Sequence, residues 1–296
     1  MTGSVLDGIV VLDKPSGATS HQLVGRLRRV LGIRKIGHAG TLDPMATGVL
    51  ILGVGRATRL LGHLALHDKR YTATVRLGAR SDTDDADGEV TPVANAATLS
   101  AAQIDEALAA FRGDIMQTPS TVSAIKVQGK RAYALAREGK DVQLQARPVS
   151  ITRLDLLGTR TSGDFLDVDI DVECSSGTYI RAIARDLGEK LGVGGHLTAL
   201  RRTRIGNYTL DDAVQLGEEA PELMSMAEAA RRSFPVVALD ASQARDVRFG
   251  RPLEIELPAD TVGVLSPGGK LLGLYGPKAG KAAPITVLVG PDDDVQ

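Results

Sequence analysis

A chain of 296 residues with 43% apolar and 24% charged side chains can build one large core or two smaller ones, and it has the balance of a globular protein. Its single cysteine, Cys174, excludes an intramolecular disulfide and a multi-cysteine zinc site, and apolar runs such as Val49–Val54 are too short to span a bilayer. The net charge of −1 announces no nucleic-acid partner, yet the charges are segregated: an acidic loop at Asp82, Asp84, Asp85, Asp87 and Glu89 stands against basic clusters at Arg26–Lys35, Lys126–Arg153 and Arg201–Arg204.

The N-terminus lacks a basic stretch ahead of an apolar core, so a cytoplasmic location without a signal peptide is expected. Gly8–Asp13 is a short apolar run stopped by Lys14-Pro15-Ser16-Gly17, which predicts a strand and a turn. Leu23, Val24, Leu27, Val30 and Leu31 recur at helical spacing between a cap at Thr19 or Ser20 and Gly32. Tyr71, Ala73, Val75 and Leu77 alternate with Thr72, Thr74 and Arg76, the pattern of a half-buried strand. Ser100 and Gln103 form a capping box ahead of Ile104, Leu108 and Phe111.

Further on, Val168, Ile170, Val172 and Cys174 alternate with Asp167, Asp169, Asp171 and Glu173, predicting an antiparallel sheet with one wet face. Thr178 is expected to cap a helix striped by Ile180, Ile183, Leu187 and Leu191 and closed by Gly192. Mixed strand patterns joined by irregular loops favour an α+β fold with a mixed, largely antiparallel sheet over a doubly wound one. Past Arg232, short strand candidates at Pro252–Pro258, Thr261–Leu265, Lys270–Tyr275 and Pro284–Val289 suggest a small β-barrel-like unit. The expected division is therefore 1–230 and 231–296.

One segment carries most of the chemical information. From Ser20 to Leu42 there are five Lys or Arg and no acid, and then Asp43 stands alone in Gly37-His38-Ala39-Gly40-Thr41-Leu42-Asp43-Pro44-Met45-Ala46-Thr47-Gly48. An Asp-Pro pair is in itself a common turn or helix start. Flanking glycines, however, let backbone approach a ligand, and a carboxylate kept ionised by a nearby cation can act as a nucleophile on carbon. A phosphate loop is the weaker alternative, because no Gly-Lys-Ser/Thr end of a Walker pattern is present.

Lys14-Pro15-Ser16-Gly17, the segment Gly37–Leu50, Arg70-Tyr71 and Ser176-Gly177-Thr178-Tyr179-Ile180-Arg181 follow one another in an order that closely resembles the TruB family of tRNA pseudouridine-55 synthases. The resemblance runs from about Gly8 to Arg204. It implies isomerisation of a uridine in the T-arm of tRNA, with no cofactor, no metal and no obligatory protein partner. It also implies roles for residues: Asp43 as nucleophile, Arg181 as its basic partner, and Tyr71 as the aromatic that stacks on the target base and assists proton transfer. Tyr179 and Leu200 match the pocket lining, His38 an RNA contact beside the extruded base, and Lys14, grouped with these substrate-binding residues, is expected to support the pocket loop.

Pro119–Gly139, with Lys126, Lys130 and Arg131, resembles the family's RNA-gripping insertion, set at about 119–150. Arg34, Lys35 and Arg202 join those three as expected docking residues. Phe234 to Gly290 resembles a PUA domain, an RNA-binding β module. For Tyr71 a plain core role stays open from its strand pattern, and Arg185 is expected to be a solvated surface residue. An RNA-folding module whose catalysis is incidental or lost, a guide-RNA-dependent subunit and an Asp-dependent nucleosidase are the rival readings, and an RNA-folding role is also compatible with catalysis.

Overall fold

The computed structural model describes residues 6–120, 126–127, 130–131 and 144–295. The strands, in chain order, are β1 (Gly8–Lys14), β2 (Ile36–Ala39), β3 (Thr47–Val54), β4 (Lys69–Leu77), β5 (Ala79–Ser81), β6 (Val90–Pro92), β7 (Gly113–Gln117), β8 (Lys126–Val127) and β9 (Lys130–Arg131). They continue with β10 (Arg147–Ser162), β11 (Phe165–Cys174), β12 (Gly195–Ile205), β13 (Tyr208–Thr209), β14 (Val236–Ala238), β15 (Val262–Leu265), β16 (Leu271–Lys278) and β17 (Lys281–Val287). The helices are α1 (Ser20–Leu31), α2 (Leu61–Leu64), α3 (Ala101–Ala109), α4 (Ile180–Lys190), α5 (Met226–Ser233) and α6 (Ala241–Arg248).

A mixed sheet of nine strands runs β1-β3-β12-β4-β11-β10-β7, with β2 added on β3 and β13 on β12. Every pairing in it is antiparallel except the short parallel contact of Arg201 and Arg202 on β12 with Thr47 and Gly48 on β3. The α+β class and the largely antiparallel sheet are as expected. The alternation along β4 and β11 buries Tyr71, Val75, Val168 and Val172 beneath α3 and α4, whose Ile104, Leu108, Ile183 and Leu187 complete that core. The opposite face carries Arg70, Arg76, Asp167 and Asp171, paired across the strands. By contrast β1 and β3 are apolar on both faces because both are covered: α1 packs on one side, and α2, α5 and the C-terminal sheet on the other.

Helix ends follow local chemistry where a side chain is free to cap. Thr19 and Ser100 each form a capping box, and Gly32 closes α1 in the left-handed conformation at φ 66°. Thr178 does not cap α4: the N-cap is Tyr179, whose side chain makes no capping bond, and the Thr178 hydroxyl donates to the Ser175 carbonyl. In the C-terminal region β14-β15-β16-β17 form an open four-stranded sheet, and no barrel closes among the described residues. Pro252–Pro258 contributes one bridge, Leu253 to Ala282, rather than a strand, and the pattern-based reading also missed α6. The expected boundary near residue 231 falls inside α5.

Candidate active site

Asp43 sits on the loop between β2 and β3, and that loop is held from three sides. Arg202 donates through Nε to the Val49 carbonyl (2.8 Å) and through its terminal nitrogens to the carbonyls of Gly40 (2.9 Å) and Thr41 (3.5 Å). Lys14 Nζ donates to the carbonyls of Pro15 (2.9 Å), Pro44 (3.1 Å) and Ala46 (2.6 Å). Ser20, buried at the start of α1, accepts from the Leu42 amide (3.0 Å). The Asp-Pro turn reading also holds, since the Ala46 amide donates to the Asp43 carbonyl (3.1 Å), but the carboxylate is left free for other work.

That carboxylate meets Arg181 Nε at 3.0 Å. Arg181, in the first turn of α4 and 4% exposed, is itself shared: a terminal nitrogen reaches Asp85 at 3.1 Å and donates to the Thr83 carbonyl at 2.8 Å. Thr83 in turn donates to Asp85 (2.6 Å). The guanidinium is thereby fixed in one pose and presents its Nε edge to Asp43. Burial raises the Asp43 carboxyl above its ordinary value, and the nearby Asp85 and Asp87 push the same way, while Arg181 and Lys14 oppose them. About a third of the Asp43 side chain still reaches solvent, so it is accessible to an incoming substrate.

The solvent it reaches is a cavity of about 300 Å³ lined by Gly40, Thr41, Leu42, Asp43, Ala65, Lys69, Tyr71, Ser176 to Arg181, Leu200 and Arg202. Of the residues expected at the site, Asp43, Tyr71, Tyr179, Arg181 and Leu200 therefore share one cavity. Tyr71 is 6% exposed, and its phenol is raised by burial and opposed by the Arg202 guanidinium beside it. Tyr179 is fixed by its backbone: the buried Gln117 side chain accepts from its amide (2.8 Å) and donates to its carbonyl (3.0 Å). His38 lies on β2 opposite Leu52, two residues before Gly40, and is not part of the cavity lining.

Three expectations need correction. Arg202 is not a docking residue; it is 1% exposed and spends its donors on loop carbonyls, because the parallel β3–β12 contact carries it under the loop. Lys14 supports the loop, as expected, through the carbonyls of Pro15, Pro44 and Ala46, but it does so from behind, wholly buried and outside the cavity lining, which is at odds with its grouping among the substrate-binding residues; burial lowers its ammonium to about 8. Arg185 is not a solvated surface residue but bridges Asp84 (3.2 Å), Asp186 (2.7 Å) and the Thr118 carbonyl (2.8 Å). The glycine of the motif with the tightest demand, Gly48 (φ +100°), makes room for protein: a Cβ there would lie 2.1 Å from the Arg202 carbonyl oxygen.

Two residues escaped the sequence. Asp85 looked like one acid of a solvated loop and is buried against Arg181. Lys69, 6% exposed, lines the cavity; extending the β4 alternation back by two from Tyr71 places it on the buried face, a signal present in the pattern. On the outside, Arg34 and Lys35 are exposed and make no ion pair among the described residues. Arg201 and Arg204 are neutralised by Asp13 and by Asp68 with Glu173. Most of the expected insertion, and the side chains of Lys126, Lys130 and Arg131, lie outside the described residues. The backbones of those three residues pair in the β8–β9 hairpin.

The chain superposes on a Cbf5–Nop10–Gar1 complex with a TM-score of 0.71 at 25% identity, over 96% of this chain and 86% of that one. A family model described as TruB family pseudouridylate synthase, N-terminal domain, matches residues 28–180, and one described as tRNA pseudouridine synthase II, C terminal, matches 234–289. Proteins named tRNA pseudouridine synthase B from Cutibacterium acnes and Thermobifida fusca are 53% and 50% identical, covering 95% and 96% of this chain and 98% and 99% of their own length. The chain belongs to the TruB family of pseudouridine synthases.

Proposed function

We propose that this chain isomerises uridine-55 in the T-arm of tRNA to pseudouridine, with Asp43 as the nucleophile. The observation that carries the reading is the Asp43–Arg181 pair at 3.0 Å, opening onto a nucleoside-sized cavity walled by Tyr71, Tyr179 and Leu200. In the reaction the N1–C1′ bond breaks and a C5–C1′ bond forms, the C5 hydrogen leaves as a proton and N1 receives one, so no oxidant or second substrate enters.

Each step has a residue suited to it. A uridine in a folded arm must leave its stack, at a cost of a few kcal/mol, before its glycosidic bond can be reached. Stacking on Tyr71 returns ~1–3 kcal/mol of that. Arg181, clamped by Asp85 and Thr83, keeps Asp43 aimed and favours its ionised form against the desolvation that opposes it. Arg34 and Lys35, exposed beside α1, are suited to phosphate contacts, and His38 to the RNA next to the flipped base. We take residues 1–230 as the catalytic unit and 231–296 as an RNA-binding unit. The chain needs no protein partner and works where tRNA is, in the cytoplasm; no described helix is long and apolar enough to cross a membrane.

The test is incubation of an unmodified tRNA transcript with the purified chain, followed by mapping of pseudouridine. Wild type is expected to convert uridine-55. Asp43→Asn is expected to form no product while binding the transcript within several-fold of wild type. Persistent turnover in that variant removes Asp43 from the mechanism, and absence of pseudouridine with wild type removes the functional reading itself.

A further inference from the structure

Buried cations are ordinarily paired with carboxylates, because an isolated charge in a low-dielectric interior is costly. Two cations in the cavity wall break that pattern. Lys69 donates to the carbonyls of Ala65 (2.8 Å) and His67 (2.6 Å), and Arg202 to those of Gly40, Thr41 and Val49. Neither has a carboxylate within ion-pair distance among the described residues. Carbonyl dipoles hold both in place without neutralising them, and two of the three ammonium hydrogens of Lys69 are spent in doing so.

On the Asp43 side of the cavity the balance differs, since Arg181 is matched by Asp43 and Asp85. The positive potential is therefore concentrated at the wall formed by Lys69, Tyr71 and Arg202. This is the reverse of what a neutral uracil requires and is suited to an anion that exists only during reaction. When N1–C1′ breaks, its electron pair stays with the base, whichever carbon Asp43 attacks, and the charge spreads over N1, O2 and O4. Preorganised donors aimed at charge that develops in the transition state are worth more than those that merely bind the ground state.

We propose that Lys69 and Arg202 form a counter-ion-free cationic wall that stabilises the uracil anion while the base is detached from C1′. The proposal rests on the functional reading above. Arg202 also holds the Asp43 loop, so Lys69 is the residue to test. Facing it are Arg202 from β12, Cys174 directly opposite on β11, and His67 and Asp68 from the preceding turn. Burial and Arg202 lower the Lys69 ammonium to about 8, against Cys174 and Asp68, while burial pushes the Cys174 thiol up to about 11 and the His67 imidazole below its ordinary value. Lys14, behind the Asp43 loop, is lowered to about 8 as well, by burial and by Arg202 against the pull of Asp43, so a change of rate near pH 8 belongs to Lys69 where Lys69→Met removes it.

The experiment is single-turnover pseudouridine formation on saturating tRNA transcript from pH 6 to 9.5, alongside tRNA affinity and thermal unfolding, for wild type, Lys69→Met, Lys69→Arg and Asp43→Asn. Loss of one such donor costs about 10²–10³-fold in rate elsewhere, and Lys69→Met is expected to slow the chemical step by about 100-fold with affinity within about threefold. The wild-type rate is expected to fall above pH 8, and that limb to be missing in Lys69→Met and moved beyond the range in Lys69→Arg. A Lys69→Met rate equal to wild type overturns the proposal, as does a rate loss matched by equal losses of affinity and stability. If Lys69→Met fails to fold, a wild-type rate that stays flat through pH 8 overturns it alone. An inactive wild type would instead count against the functional reading, and the Asp43→Asn control keeps the two failures apart.

Discussion

Asp43 shows how much a single side chain depends on partners that local sequence cannot display. Its neighbours in sequence explain a turn, and the turn is there. What makes it a candidate nucleophile is Arg181, 138 positions further on, and Asp85, which holds Arg181 from the other side. The Arg181 partnership was legible through motif order, whereas Asp85 was not, because a run of acids reads the same whether solvated or folded inward. The raised Asp43 carboxyl has two consequences. On the proposed role activity needs the ionised form, so the acid limb of the rate profile is expected above the ordinary aspartate value of about 3.9. The folded state also holds that proton more tightly than the unfolded chain, so the carboxylate's cost to stability appears as pH rises through the folded value. Asp43→Asn escapes this cost, and its Tm at pH 7 is expected to equal or exceed that of wild type, with the difference shrinking towards pH 4. Differential scanning fluorimetry across that range checks it; a Tm well below wild type at pH 7 would show the carboxylate to be a net stabiliser.

Elements were read from periodicity, and the success depended on which neighbour supplied the pattern. The alternation of β4 and β11 and the stripe of α1 follow from one buried face each, so spacing alone revealed them. The start of α4 was misplaced because the Thr178 hydroxyl donates to the Ser175 carbonyl in the preceding turn and Tyr179 takes the N-cap position. The parallel β3–β12 contact had no signature at all, since it joins segments some 150 residues apart, yet it positions the site: it lays Arg202 beneath the Asp43 loop and Leu200 in the cavity wall. Gly48 is its point of closest approach. A methyl group there would press on the Arg202 backbone at 2.1 Å, at a φ of +100° that disfavours any side chain. Gly48→Ala is expected to destabilise by about 3 kcal/mol or more, and to cost activity in the molecules that remain folded because Arg202 and the Asp43 loop move together. Urea unfolding and pseudouridine yield per folded molecule measure the two effects. Near-wild-type stability would mean that the strands part at small cost.

At the scale of the molecule, net charge concealed the distribution that matters. The wet face of the main sheet pairs Arg70 and Arg153 with Asp171, Arg76 with Asp167, and Arg201 with Asp13, so its charges cancel locally. A pair exposed at both ends contributes about 0–1 kcal/mol, whereas Asp171 is buried beneath its two arginines; in either case the face is left locally neutral. Exposed cations with no ion pair among the described residues lie instead on and beside α1, at Arg26, Arg29, Arg34 and Lys35. Affinity for tRNA is expected to fall with salt on a log–log slope of several units, and Arg34→Ala with Lys35→Ala to flatten that slope. Charge removal at Arg70 and Asp171 together is expected to leave it unchanged. Filter binding over a salt series measures both, and an unaltered slope in the double alanine variant would move the docking face elsewhere.

The C-terminal sheet looks in sequence like an appended module, because short strands and turn residues begin there. Its packing says otherwise. Leu265, Leu271, Leu274 and Leu288 share one buried cluster with Ile9, Val49, Ile51 and Leu60 of the main sheet side, with α5 between them. Polar contacts close the same junction: Arg56 pairs with Asp293 (2.6 Å), Arg59 donates to the Val287 carbonyl (2.7 Å) and the His63 ring bonds the Thr286 hydroxyl (3.0 Å). Four leucines at ~1.5–3 kcal/mol each approach the whole of a domain's usual stability, about 5–15 kcal/mol. A chain ending at Ser233 is therefore expected to show no cooperative thermal transition and no pseudouridine formation, even though every cavity residue is retained. Circular dichroism melting and the transcript assay decide it. A folded, active truncation would make the C-terminal sheet a separable RNA-binding unit, and a folded one with weakened affinity alone would assign it to docking.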